Sequence, residues 1–401
     1  FCLSKFINLS SQHFNFNSIF HRHIKLFSKK FIHSFKGKKF KPMDLSTSKR
    51  VCTGITTNNK VEPKIGTHDG VFHCDEILAC FILKKLPHYY NATIIRTRDE
   101  TKLAECDVVV DVGGVYDPAI HRYDHHQRSF QETFSSLVPS KPWTTRLSSA
   151  GLVYVHFGKN VIAHLLNIQS NDDLIDAVYD KVYENFIQEI DGIDNGIGIC
   201  EGEQKYRITT HLSARIGNLN PSWNEPSNDA LIQQRFERAM QLAGEEFQDK
   251  VFYYAHSWWP AKQIVQNAIK SRFDIDESGE IVELSDRGGV PWKEHLFQLE
   301  KEHSIYPSIK YVIFADSKGN WRVQGVPLEP HSFELRVPLH KDWQGLRDDE
   351  LSAKSQIADC IFVHQTGFIG GNKQRLGAIQ MAKKSLELSC LQNNVVASSD
   401  S

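Results

Sequence analysis

The chain has 401 residues, of which 40% are apolar and 24% charged, a length and balance that suit two globular domains and an extension. No apolar run approaches the roughly 20 residues a bilayer-spanning helix needs, and none of the eight cysteines form a C-x-x-C pair, so no membrane span, zinc ribbon or thioredoxin motif is predicted. So few cysteines in so long a chain read as reduced thiols of an intracellular protein.

The net charge of −1 hides an asymmetry. Residues 1–42 hold nine Lys/Arg, nine Phe and six Ser with no acid, leaving a body of 38 basic and 48 acidic residues. An acidic body holds a nucleic acid only through a local basic groove or through metal ions. The leader is basic, hydroxylated and acid-poor, as mitochondrial presequences are, so residues 1–43 are expected to be a transit peptide for the matrix. The competing reading is a basic arm that binds phosphates non-specifically. A start at Met43 would give a nuclear or cytoplasmic form.

Residues 44–62 read as a linker. An alternation of β and α follows: a strand at Lys64–Thr67, an apolar-periodic helix over 75–86 ended by Pro87, a strand over 92–96, and the apolar run Val108, Val109, Val110 closed by Asp111 and Gly113-Gly114. Helical periodicity occupies about 149–168 and 171–190. This rhythm predicts a parallel sheet covered on both faces, in a domain spanning 63–228. A Gly/Pro/Asn-rich loop at 217–228 leads to a helical connector over 229–272, interrupted at Trp258-Trp259-Pro260. Strands over 308–314, 321–326 and 361–364 and a helix over 372–388 predict a second, smaller α/β domain at 273–390. Residues 391–401 read as a disordered tail.

Four clusters carry candidate chemistry. His68, His73 and Asp75 lie between the first strand and its helix, where open α/β sheets bind ligands. Imidazole with carboxylate suits Mn2+, Zn2+ or Fe2+. Asp111 directly follows a buried apolar run, an expensive place for a carboxylate that is not solvated, paired or metal-bound. In Asp124-His125-His126, His125 is the candidate ligand, and an acid beside an imidazole can orient it through its second nitrogen. Asp191 and Asp194, three residues apart, can share one face of a helix end. Taken singly, each cluster also fits a capped helix or a solvated strand end. In the second domain, Gly370, Gly371, Lys373 and Arg375 read as a Gly-rich turn before a helix, suited to a phosphate, with Arg322 on a nearby strand.

In order and spacing the clusters resemble the DHH phosphoesterase superfamily, although His73 stands where the first motif usually has an Asp and the spacing is one residue longer. Over nearly the whole chain from residue 64, GTHDGVFHCDE, YDHHQ, IDGIDNGI, LNPSWNEP, HSWWPA, PWKEHLF, WRVQGVP and GFIGGNKQRLGA resemble the melanocyte-proliferating-gene exonuclease family. The resemblance implies a DHH-like catalytic domain with a helical connector and a substrate-binding α/β domain. It implies two metal ions, usually Mn2+ with Mg2+ as the substitute, held by His68, His73, Asp75, Asp111, His125 and Asp191. Asp111 would be the shared carboxylate and His126 would face the leaving group. Gly370, Gly371 and Arg375 would contact substrate. It further implies a 3′-5′ exoribonuclease acting on single-stranded RNA in mitochondria and nucleus. A hydrolase of small phosphates (pyrophosphate, short oligonucleotides or cyclic dinucleotides) and a non-catalytic nucleic-acid-binding regulator are the alternatives.

Overall fold

The computed structural model describes residues 62–169 and 173–399, so the leader and most of the linker lie outside the described residues. Two five-stranded sheets organise the described residues. The first has order β2-β1-β3-β5-β4, from β1 (Lys64–Thr67), β2 (Thr93–Arg96), β3 (Val108–Val110), β4 (Tyr116–Asp117) and β5 (Arg122–Tyr123). Its first four strands are mutually parallel, and β4 folds back antiparallel onto β5. Because β1 pairs with both β2 and β3, the order in which strands are added to the sheet reverses between β1 and β3. That is the switch point at which open α/β sheets leave a crevice beyond the strand ends.

The two faces of this sheet are covered unequally. Ile65, Val108, Val110 and Tyr123 bury into the large core built by the helices Cys74–Lys84, Ser149–Leu166, Asp173–Val182 and Asp229–Tyr253. Val109, on the opposite face, meets only Leu103, Cys106, Val112 and Ile95, beneath the short helix Glu100–Ala104. The expected helices are on both faces, but one face takes most of the apolar burial.

The helix from Asp229 does not break at Pro260. It passes through a π-turn, Tyr254–Trp258, and continues as Trp259–Lys270. Proline has no N–H for the preceding turn, and a wider turn just before it absorbs that loss. Trp258 is buried there, its Nε1–H donating to Glu294 at 2.9 Å and its carbonyl accepting from His295 at 2.8 Å.

The second sheet has order β6-β7-β8-β10-β9, from β6 (Ile281–Arg287), β7 (Tyr311–Ala315), β8 (Trp321–Gly325), β9 (Cys360–Val363) and β10 (Ile369–Asn372). Only β6 and β7 run parallel. Strands β6 and β10 were not expected. The reading of Gly370 and Gly371 as a turn is corrected: both lie inside β10, paired to β8 on one side and β9 on the other. Glycine is required for close approach, since a Cβ on Gly370 would lie 2.8 Å from Leu339 Cδ1 and 2.9 Å from Met381 Cε. The final helix runs Arg375–Ser399, past the expected tail boundary, because no Pro or Gly interrupts it after Gly377.

Candidate metal centre

Three strand ends supply the centre. His68 follows β1, Asp111 follows β3 and Asp124 follows β5. Asp111 sits at φ 59°, a left-handed backbone that aspartate tolerates better than most residues but that still costs energy. Its two carboxylate oxygens point in different directions. Oδ2 is 3.3 Å from His68 Nε2, across the switch-point crevice, and Oδ1 is 3.2 Å from His125 Nε2 and 3.7 Å from His126 Nδ1.

The helix Cys74–Lys84 delivers two more acids from its first turn. Glu76 is fully buried; it accepts the His73 backbone N–H at 2.8 Å and lies 3.2 Å from His68 Nε2. Asp75, buried beside it, accepts Ser149 Oγ–H at 2.7 Å on Oδ2, while its Oδ1 has no hydrogen-bond partner. On the far side, Asp194 Oδ2 is 3.2 Å from His125 Nε2. Three overlapping groups could each hold a cation: His68, His73, Glu76 and Asp111; Asp111, His125 and His126; and Asp75, His125 and Asp194, with donor atoms in each within 4.8 Å of one another.

The electrostatics fit a cation at this place. Burial first, and then the neighbouring Asp111, raises the Asp75 carboxyl. Burial also pushes Glu76 up to about 8, and burial with the charge of Asp75 pushes Asp194 up to about 8. Burial alone would lower the two imidazoles, but hydrogen bonds to Asp111 and Glu76 raise His68 to about 10, and Asp111 with the surrounding acids raises His125 to about 9. These shifts favour positive charge at the cluster, which protons or a divalent ion could supply. Crowded buried carboxylates with an orphaned oxygen are costly unless a positive charge meets them, and the mixed nitrogen and oxygen donors suit Mn2+, Zn2+ or Fe2+.

Of the six ligands expected, the structure brings together His68, His73, Asp75, Asp111 and His125. Asp191 is placed apart from the three groups. It is fully buried, and its oxygens accept the Ser148 N–H at 2.9 Å, Ser148 Oγ–H at 2.7 Å and the Tyr183 hydroxyl at 3.0 Å. It also lies so close to Gly151 that a Cβ there would be 2.4 Å from Oδ1. Burial raises Asp191 to about 7 against those three donors. Glu76 and Asp194, which the sequence reading did not name as ligands, stand in the candidate groups instead. The imidazole that Asp124 orients is His126: one carboxylate oxygen accepts from its Nδ1 at 2.7 Å, and the other takes the Gly114 N–H at 2.6 Å.

Two clefts open onto the centre. One, of about 560 Å3, is lined by Asp75, Asp111, His125, Asp194, Arg128 and Arg146 among others. The other, of about 310 Å3, lies against His68, Asp111, Gly113, Gly114 and Arg98. The proposed substrate contacts of the second sheet are arranged differently from expectation. Arg375 makes a two-pronged pair with Glu283, at 2.8 and 2.6 Å, and Arg322 pairs with Asp316 at 2.6 Å while crossing over Gly371. Lys373 is exposed, and its backbone N–H donates to Asp359.

The model of the MYG1 exonuclease family, described as an uncharacterised protein family (UPF0160), matches residues 64–386. The chain is 56% identical to a MYG1 exonuclease of Mus musculus over 82% of its own length and 86% of that protein's. It is 55% identical to the Homo sapiens MYG1 exonuclease, over 81% and 86% respectively. A MYG1 protein of Saccharomyces cerevisiae is 40% identical over 83% of this chain and 98% of that protein. Among solved structures, a pGpG-specific phosphodiesterase of Vibrio aligns over 83% of this chain and 99% of that one, at 15% identity and a TM-score of 0.24.

Proposed function

The chain belongs to the MYG1 exonuclease family, and on that premise we propose that it is a divalent-metal-dependent hydrolase of phosphodiester bonds. In the finer reading it is a 3′-5′ exonuclease on single-stranded RNA that acts in mitochondria. The observation that carries the proposal is Asp111: one carboxylate, at the switch point of a parallel sheet, with one oxygen on the His68 side and the other on the His125 side. That arrangement suits a carboxylate shared between two cations.

His68, His73, Glu76 and Asp111 would hold one ion, and Asp75, His125 and Asp194, with the other oxygen of Asp111, would hold the second. Bound divalent cations, with Mn2+ preferred, supply Lewis-acid charge for a phosphoryl oxygen and lower the pKa of water. The protein's own groups do the rest. Ser149 fixes one oxygen of Asp75 and leaves the other free. Asp124 holds His126 at Nδ1 and raises its pKa, chiefly through that hydrogen bond, which favours the ring as a proton donor to the leaving oxygen. Asp75, Glu76 and Asp111 are buried, so little water competes for their oxygens, whereas Asp194 faces the open cleft.

Arg375, Lys373 and Arg322 are kept as contacts for more distant phosphates of a long substrate. Arg375 would exchange Glu283 for a phosphate. Purified full-length protein stripped with chelator and reloaded separately with Mn2+, Mg2+ and Zn2+ tests the reading on single-stranded RNA, single-stranded DNA and pyrophosphate. RNA turnover restored by Mn2+ is expected. Turnover of pyrophosphate alone would favour a small-phosphate hydrolase, and no turnover of any substrate would reject an enzyme.

A further inference from the structure

Arg146 belongs to no motif and no candidate ligand group, yet it lines the larger cleft together with Asp75, Asp111, His125 and Asp194. Its position is fixed twice. Its backbone forms an isolated β-bridge with Thr133, and its Nε–H donates to Asn195 Oδ1 at 2.5 Å. Asn195 is itself clamped, its Nδ2 donating to the carbonyls of Arg146 at 2.9 Å and Asp191 at 2.8 Å. Asn195 directly follows Asp194, so the guanidinium is tied to the helix end that presents an acid to the metal centre. Among the described residues the two terminal nitrogens of Arg146 have no hydrogen-bond or carboxylate partner, although acids crowd the same cleft. Arg322 and Arg375, by contrast, are each closed on a carboxylate.

A guanidinium whose Nε is held by a neutral amide and whose Nη edge is left open is pre-organised for a bidentate anion. We infer that Arg146, positioned by Asn195, grips a phosphate of the substrate strand in this cleft, and that the ligand class is a single-stranded polynucleotide phosphate backbone. The inference rests on the proposed phosphodiesterase reading and adds a substrate-binding residue to it. Arg128, exposed at the rim of the same cleft, lacks such a brace and contributes charge without a fixed geometry.

The test uses full-length protein loaded with Mn2+ and a short single-stranded RNA, with kcat and KM measured across a salt series. Binding of a phosphorothioate version of that RNA is followed by fluorescence anisotropy. Arg146→Ala is expected to weaken binding about tenfold or more, through KM more than kcat, and to lower the salt slope by about 0.7 for one lost phosphate contact. Arg146→Lys keeps the charge but loses the Asn195 brace, so it should keep the salt slope and fall between the two in affinity. Metal content and melting temperature should match the parent protein in both. Native affinity and salt slope in Arg146→Ala would overturn the inference while leaving the phosphodiesterase reading standing. If Arg146→Ala misfolds, Arg146→Lys decides: a native Kd in that variant removes the case for a braced fork. Failure of the unsubstituted protein to bind or cleave any RNA would instead overturn the parent reading, and this inference with it.

Discussion

The two acids at the end of the helix Gln188–Asp194 make opposite predictions for stability and for metal. Asp191→Ala strands three donors in a fully buried place, the Ser148 N–H, the Ser148 hydroxyl and the Tyr183 hydroxyl. At about 1–3 kcal/mol for each unsatisfied donor, with some relief from entering water, the loss is roughly 3–6 kcal/mol. That corresponds to a fall in melting temperature on the order of 10 °C. Asp194→Ala strands no backbone or hydroxyl donor; it gives up the 3.2 Å pair with His125 but relieves the like charge of Asp75, which with burial pushes that carboxyl up to about 8. In chelator, where those two effects oppose one another, its melting temperature should stay close to that of the parent. The metal readings reverse: Asp194→Ala should lose bound cation, whereas Asp191→Ala, measured well below its melting point, should retain it. Differential scanning fluorimetry in chelator, paired with elemental analysis after Mn2+ loading, reads both quantities. An Asp191→Ala protein that melts normally but has lost metal would refute the assignment, as would an Asp194→Ala protein with a full metal complement.

Asp111→Asn keeps a side chain that tolerates the left-handed backbone better than alanine does, so it should fold normally while hydrolysis falls below detection; near-native turnover would remove Asp111 from the centre. His68 and His125 are raised to about 10 and about 9, so in metal-free protein their protonation stabilises the fold fully below about pH 6.5, and that contribution is lost as pH rises through 9 to 10. Melting temperature in chelator should therefore drop between pH 6.5 and 10, a drop that saturating Mn2+ should largely remove; identical pH profiles with and without metal would contradict this. Glu283→Gln should free Arg375 and tighten binding of long RNA if Arg375 contacts the backbone, whereas unchanged affinity would leave that arginine a purely structural partner. Residues 1–42 fused to a fluorescent reporter should direct it to mitochondria, and a diffuse signal would favour the basic-arm reading instead.

What could be read from the sequence follows where chemistry is tied to chain geometry. His68 and Asp111 were legible because they directly follow short strands, the second of them a wholly apolar run, and a parallel sheet carries its site at those strand ends. Glu76 was not, because an acid three residues into a helix is also an ordinary partner for the capping N–H, and it does serve as one for His73. Periodicity could place Asp191 and Asp194 on one face but could not rank them. The choice between them lies in contacts from Ser148, Gly151 and Tyr183, and Tyr183 begins a π-turn that a regular helical repeat does not anticipate. Strand β10 was hidden by its own glycines, which read as a turn until Leu339 and Met381 are seen pressing on them. Arg146 has no motif, and its orientation depends on an asparagine 49 residues away.

The most direct test of the central claim is the digestion of 5′-labelled single-stranded RNA by the purified full-length protein with Mn2+, run beside Asp111→Asn and a chelator control. The account predicts a ladder that shortens from the 3′ end one nucleotide at a time, absent in both controls. An intact RNA in every lane, or cleavage that persists in Asp111→Asn with chelator present, would contradict it.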